Sequence, residues 1–125
     1  MNILGIDYGK KRIGLAWVQE GLDVVLPYGI MKNEQLIINK LATMVDEEKI
    51  NKIVVGLPLG LDGEENENTK SVRGFVDELK EEIEIEIQFV DERFTSKQAD
   101  RMGGDASLDE KSAMLILQSY LDKQK

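Results

Sequence analysis

Hydrophobic positions along the chain fall into short continuous runs and helical stripes that alternate. Ile3-Leu4-Gly5-Ile6 is an unbroken apolar run closed by Asp7, which predicts a buried strand over residues 3–7. Tyr8-Gly9-Lys10-Lys11 has turn composition, and Arg12 to Val18 predicts a second strand pairing back as a hairpin. Val24 to Met31 is a third extended segment, beyond Glu20-Gly21. The period then changes. Ile37, Ile38, Leu41, Met44 and Val45 recur at helical spacing, predicting a helix over about 34–48 with Asn33 as its cap.

Ile53-Val54-Val55-Gly56-Leu57 is continuous and β-branched, the signature of a strand covered on both faces. Gly60 to Asn68 is polar and glycine-rich, without apolar periodicity, and reads as a mobile loop. Thr69 is expected to cap the next helix, whose apolar face is Val72, Phe75, Val76 and Leu79. Ile85, Ile87 and Phe89 alternate with Glu86, Gln88 and Val90, predicting a strand toward a sheet edge. Thr95 with Gln98, and Ser107 with Glu110, have capping-box spacing and mark two further helix starts. Gly103-Gly104 separates them, and the last helix runs to about Leu121.

A meander followed by alternating helix and strand is an α/β arrangement: a mixed five-stranded sheet, its first three strands antiparallel, with helices on both faces. No repeat or linker divides the 125 residues, so one domain over 1–125 is expected. In such sheets ligands bind beyond the carboxyl ends of the strands, where Asp7, Asp91-Glu92 and the Gly60 loop fall.

Composition narrows the chemistry. Without cysteine or histidine there is no disulfide framework, thiolate site, cysteine nucleophile, histidine base or zinc catalysis. No apolar run approaches the ~20 residues of a membrane span, and no leader-like segment opens the chain, so a cytoplasmic protein is expected. The net charge of −8 opposes phosphate binding overall. Its distribution matters more: acids concentrate in Glu64–Glu67 and Glu78–Glu86, whereas Lys10-Lys11-Arg12 adjoins Asp7, and Arg93, Lys97 and Arg101 follow Glu92.

Carboxylates at strand ends and at a helix start can converge on one point, and oxygen-only clusters suit hard cations such as Mg²⁺ or Mn²⁺. Each acid also has a plainer reading. Asp7 before Tyr-Gly is a good turn residue, and Asp109 in a helix's first turn is favoured by the macrodipole alone. Asp91 and Glu92 point to opposite faces of a regular strand, so one of them at most is a direct ligand; alternation favours Asp91, on the Phe89 face, although strands often end or twist at such a point. Lys11 and Arg12 are candidate phosphate contacts, with Arg12 the better because a guanidinium grips phosphate with two hydrogen bonds. Arg93 is equally suited to substrate or to an ion pair with its neighbours.

Three segments together resemble the YqgF family, described both as Holliday junction resolvases and as pre-16S ribosomal RNA nucleases. They are Gly5-Ile6-Asp7-Tyr8-Gly9-Lys10-Lys11-Arg12-Ile13-Gly14-Leu15-Ala16, Val55-Gly56-Leu57-Pro58-Leu59 through Asp62-Gly63, and Asp91-Glu92-Arg93-Phe94-Thr95-Ser96. Asp109 to Leu121 matches as well, with Phe94 standing where leucine is usual. The resemblance implies an RNase H-like fold and a metal-dependent nuclease whose acidic site is Asp7, Glu92 and Asp109, with Asp91 as the substitute for Glu92. It implies one or two Mg²⁺ or Mn²⁺ ions as cofactor. The partners implied are an rRNA precursor or branched DNA, with ribosomal particles, in a monomer or homodimer.

Two other classes compete. Asp7-Tyr8-Gly9 before a small-residue strand also resembles the first phosphate loop of actin-like ATPases, but those bind nucleotide between two duplicated domains, for which this chain is too short. A ribosome-assembly or transcription factor that binds RNA without cutting it would keep the same motifs.

Overall fold

The computed structural model describes residues 1–19, 21–22, 24–92 and 107–123. Five strands form one sheet: β1 (Asn2–Tyr8), β2 (Arg12–Gln19), β3 (Val25–Lys32), β4 (Ile50–Leu57) and β5 (Glu86–Asp91). Three helices are described, α1 (Ile37–Glu47), α2 (Glu67–Glu82) and α3 (Leu108–Lys123). The sheet order is β3-β2-β1-β4-β5. β1, β2 and β3 pair antiparallel, while β4 and β5 run parallel to β1. The mixed sheet and its opening meander are therefore as the sequence predicts, and β5 lies at an edge.

Strand alternation sorts the core into two layers. Leu4, Ile6, Ile13, Leu15, Ile53 and Val55 face α1 and α2, which contribute Ile37, Leu41, Val45, Val72, Phe75, Val76 and Leu79. Ile3, Ala16, Val18, Val54 and Val90 face α3, whose Ala113, Ile116, Leu117, Tyr120 and Leu121 cover them. β1 and β4, covered on both faces, are the continuous apolar runs; β5, with four of six positions half-buried, is the alternating one.

Helix α3 lies close to the sheet because glycines clear its path. A β-carbon on Gly5 would sit 2.5 Å from Leu117 Cγ and 3.1 Å from the Ala113 carbonyl oxygen. One on Gly14 would lie 2.5 Å from the Asp109 carbonyl carbon. This face can be occupied by the helix only without those side chains.

Two caps differ from expectation. Asn33 does not cap α1, which starts at Ile37 behind Leu36 with no side-chain cap. Its amide donates instead to the Gly9 carbonyl at 2.8 Å, tying the end of β3 to the β1–β2 turn. Thr69 is the third residue inside α2; Asn66 is the cap, and the two form a reciprocal capping box. Both departures have the same origin, since several polar residues near a helix start compete for few backbone groups. Ser107 and Glu110 do form the expected box at α3, with Glu110 N–H donating to Ser107 Oγ at 3.2 Å. The expected helix start at Thr95 and Gln98, and Gly103-Gly104, lie outside the described residues.

Candidate active site

β1, β4 and β5 end on the same side of the sheet because they are parallel, and Asp7 and Glu92 stand at two of those ends. Strand parity decides which of the adjacent acids joins Asp7. Glu92 continues the β4–β5 ladder by donating its N–H to the Leu57 carbonyl at 3.2 Å. Its side chain takes the Val90 side of the sheet, toward α3, and lies against Gly56: a β-carbon there would come 2.8 Å from Glu92 Oε2. Asp91, one residue earlier, falls on the opposite face. The preference for Asp91 drawn from alternation is reversed: the face shared with Asp7 is the Val90 face, and Glu92 is the neighbour of Asp7.

Asp7 and Glu92 share a hydrogen bond. Both are partly buried, and burial is the first cause of a marked upward shift in each. Asp7 is pushed from 3.8 to about 6, with the Asp109 charge adding to the rise and the Glu92 hydrogen bond opposing it. Glu92 is pushed from 4.5 to about 9 by burial, then by the charge and hydrogen bond of Asp7 and the charge of Asp91. At neutral pH the pair therefore shares one proton in the hydrogen bond between the two carboxyl groups.

Asp109 reaches the same place from the other side. Gly14 is the cross-strand partner of Asp7, and the backbone of Asp109 rests directly on Gly14. The Asp109 carboxylate accepts from Arg12 Nε at 2.9 Å. With that carboxylate held by the guanidinium, no group of three or more acidic side chains among the described residues is arranged as a ready metal cage.

The donor set still fits a hard cation. Two carboxylates forced together and driven toward protonation are what a divalent ion relieves, because it supplies the missing positive charge and holds both oxygens ionised. Asp7 and Glu92 meet that condition directly. Lys11 is exposed in the β1–β2 turn, Arg12 is exposed beside Asp109, and Arg93 lies outside the described residues.

A family model described as the Holliday junction resolvase RuvX matches residues 1–123. The chain belongs to the RuvX family. The resemblance to YqgF proteins is thus borne out. A relative from Sulfurihydrogenibium sp. is 41% identical over 131 residues, covering 98% of this chain and 90% of its own length. One from Dictyoglomus turgidum is 36% identical over 137 residues, covering 98% and 94%. Both carry the name "Putative pre-16S rRNA nuclease". Thermus thermophilus RuvC in complex with a Holliday junction substrate superposes with a TM-score of 0.69 at 15% identity, over 97% of this chain and 93% of RuvC. The fowlpox virus resolvase bound to Holliday junction DNA gives 0.61 at 14% identity, over 99% of each chain. At such identities the likeness is one of fold, which is RNase H-like.

Sequence reasoning missed part of this RuvX site. A cleft of about 360 Å³ adjoins Glu92, lined also by Tyr8, Lys10, Pro58, Asn68, Ser71 and Val72. Tyr8 reads in the sequence as a turn residue, but it ends β1 and its ring lies 4.5 Å from that of Phe75. The signal available was parity: if Asp7 faces one helix layer, Tyr8 must face the other. The loop ahead of α2 is also tighter than its composition implies. Gly60 N–H donates to the Glu64 carbonyl at 2.9 Å, Gly63 N–H to the Gly60 carbonyl at 2.8 Å, and Gly63 takes the positive φ of 85° that favours glycine.

Proposed function

We propose that the chain is a divalent-metal-dependent nuclease that hydrolyses phosphodiester bonds in maturation of the 5′ end of pre-16S rRNA. The observation that carries this reading is the Asp7–Glu92 carboxyl pair at the carboxyl ends of two parallel strands, with Asp109 beside it across Gly14. Full-length similarity to proteins named for that rRNA nuclease supports the choice of substrate. Residues 1–125 act as one nuclease domain.

Asp7, Glu92 and Asp109 are the proposed ligands of one or two Mg²⁺ or Mn²⁺ ions. When bound, these supply an activated water and neutralise charge at the phosphate. The chain's own residues do the rest. Asp7 and Glu92 would hold the ion through their ionised oxygens, their shared proton passing to solvent, and their place at the strand ends would orient the scissile phosphate. Arg12 exchanges Asp109 for a non-bridging phosphate oxygen, so that substrate arrival frees the third carboxylate. Lys11 and Arg93 contact flanking phosphates. The products are 5′-phosphate and 3′-hydroxyl ends, with no covalent enzyme intermediate.

The likeness in fold to resolvases bound to four-way DNA junctions favours one second reading, cleavage of branched DNA in recombination by a homodimer. Among the described residues no helix is long and apolar enough to cross a membrane. The proposed setting is the cytoplasm, on ribosomal particles.

The test compares the parent with Asp7→Asn on a structured pre-16S 5′ RNA and on a four-way DNA junction, in matched Mn²⁺. Loss of RNA cleavage by about 10²–10³-fold or more is expected. Equal rates would remove Asp7 from the chemistry. Binding of RNA by the parent without cleavage in any divalent metal would leave an assembly factor.

A further inference from the structure

The cleft beside Glu92 is walled by two kinds of surface. Tyr8, Pro58 and Val72 give it an apolar side, and Asn68, Ser71 and Lys10 give it a polar rim. The Tyr8 ring is held in place by Phe75 behind it, at 4.5 Å between centroids and 35° between planes. Asn68 and Ser71 sit in the first turns of α2, which is locked by the Asn66–Thr69 capping box and by the Thr69 hydroxyl bonding to the Pro58 carbonyl. Ser71 Oγ donates to the Glu67 carbonyl at 3.1 Å, leaving its lone pairs to accept. This wall is therefore preformed.

Its position relative to the carboxylates is fixed by the backbone. Tyr8 follows Asp7 in β1 and turns to the opposite face of the sheet, so the cleft opens on the α2 side of the strand that carries Asp7. Glu92 belongs to both the cleft and the carboxyl pair. Lys10, at the rim, is the one cation among the lining residues.

We propose that this cleft receives the base of an unpaired nucleotide next to the scissile phosphate, making the enzyme selective for strands with a nucleotide splayed out of the helix. An aromatic face with apolar walls suits a base plane, short amide and hydroxyl side chains suit its polar edge, and a lysine at the mouth suits the adjoining phosphate. The volume of about 360 Å³ falls within the roughly 300–1,000 Å³ of small-ligand sites. A paired base cannot enter, because it remains stacked in its duplex. The inference rests on the nuclease reading for the position of the phosphate, but base binding itself is tested without cleavage.

Nuclear magnetic resonance titration of the 14.1 kDa protein in Ca²⁺ would use the four ribonucleoside 5′-monophosphates, with ribose 5-phosphate as the probe lacking a base. The nucleotides are expected to shift the Tyr8, Asn68 and Ser71 amide signals and to bind at least tenfold more tightly than ribose 5-phosphate. The double variant Asn68→Ala, Ser71→Ala is expected to lose that difference while Mn²⁺ still broadens Asp7 and Glu92 as in the parent. Equal binding of ribose 5-phosphate, shifts centred elsewhere, or an unchanged preference in the double variant would overturn the inference. Failure of the nuclease reading looks different: Asp7→Asn would cleave like the parent, whatever the nucleotides do.

Discussion

Gly14 and Asp109 are in direct contact: the backbone of Asp109, at the start of α3, lies on Gly14 so closely that a β-carbon there would be 3.0 Å from Asp109 Cβ and would collide with its carbonyl group. Gly14 in turn pairs with Asp7. The absence of one side chain in β2 thus sets how near the third acid comes to the other two. Gly14→Ala should push the first turn of α3 off the sheet, costing roughly 1–3 kcal/mol by overpacking and reducing metal-dependent cleavage more than nucleic-acid binding. Urea denaturation beside cleavage and filter-binding assays would check this; a stable, fully active Gly14→Ala protein would contradict it.

Arg12 and Asp109 form an ion pair at 2.9 Å, with side chains 66% and 30% exposed. Such a pair contributes less than about 1 kcal/mol, so Arg12→Ala should leave thermal stability nearly unchanged. Its effects should appear elsewhere and in opposite directions. Mn²⁺ should bind more tightly because Asp109 no longer has a competing guanidinium, and RNA should bind more weakly because a phosphate contact is lost. Calorimetric titration of each ligand reads both; weaker binding of both would mean that Arg12 positions Asp109 for the metal instead of withholding it.

The pH response of the metal-free protein follows from Asp7 and Glu92, whose folded values of about 6 and about 9 stand above their ordinary 3.8 and 4.5. Between those limits the folded state holds protons that the unfolded chain has released. This contribution to stability is therefore complete below about pH 4 and disappears as pH rises through about 6 and then about 9. Melting temperature in a chelator should fall over that window. Mg²⁺ should raise it more at high pH than at low, because the ion binds the ionised pair. Parallel curves with and without Mg²⁺ would contradict the assignment.

Thr69 joins the end of β4 to α2. It is fully buried, donates to the Pro58 carbonyl, and accepts from Asn66 N–H at 3.0 Å. Thr69→Val keeps the volume but strands both backbone groups, at a cost of roughly 1–3 kcal/mol for each one left buried without a partner. Thr69→Ser should recover most of it. Equal melting temperatures for the valine and serine variants would show that the hydroxyl does not hold this corner.

Strand positions were legible in the sequence because period and length agree there. Ile53 to Leu57 can be little else than a strand between two layers, and the alternation around Ile87 and Phe89 marks an edge. Helix starts were less legible, since Asn33, Asn66, Thr69 and Ser107 are all good caps by composition and only the surrounding chain decides among them. Asp7 was marked out by its place at a strand end, whereas Glu92 was separated from Asp91 only by the family resemblance, because alternation counted from Phe89 pointed to Asp91; the contact itself follows from the parallel pairing of β1, β4 and β5. The Arg12 hold on Asp109 spans 97 residues, and no local pattern announces it. The Tyr8 cleft was hidden for a similar reason, because its walls come from β1, the residue after β4, and α2, each ordinary in its own context.

Diffraction from crystals soaked in Mn²⁺, with the anomalous signal locating the ion, tests the central claim most directly. A peak should lie within ~2.0–2.3 Å of carboxylate oxygens from both Asp7 and Glu92, with Asp109 turned from Arg12 toward it. Mn²⁺ bound only at the surface acids, or none near Asp7 and Glu92 at a concentration that supports cleavage, would contradict the account.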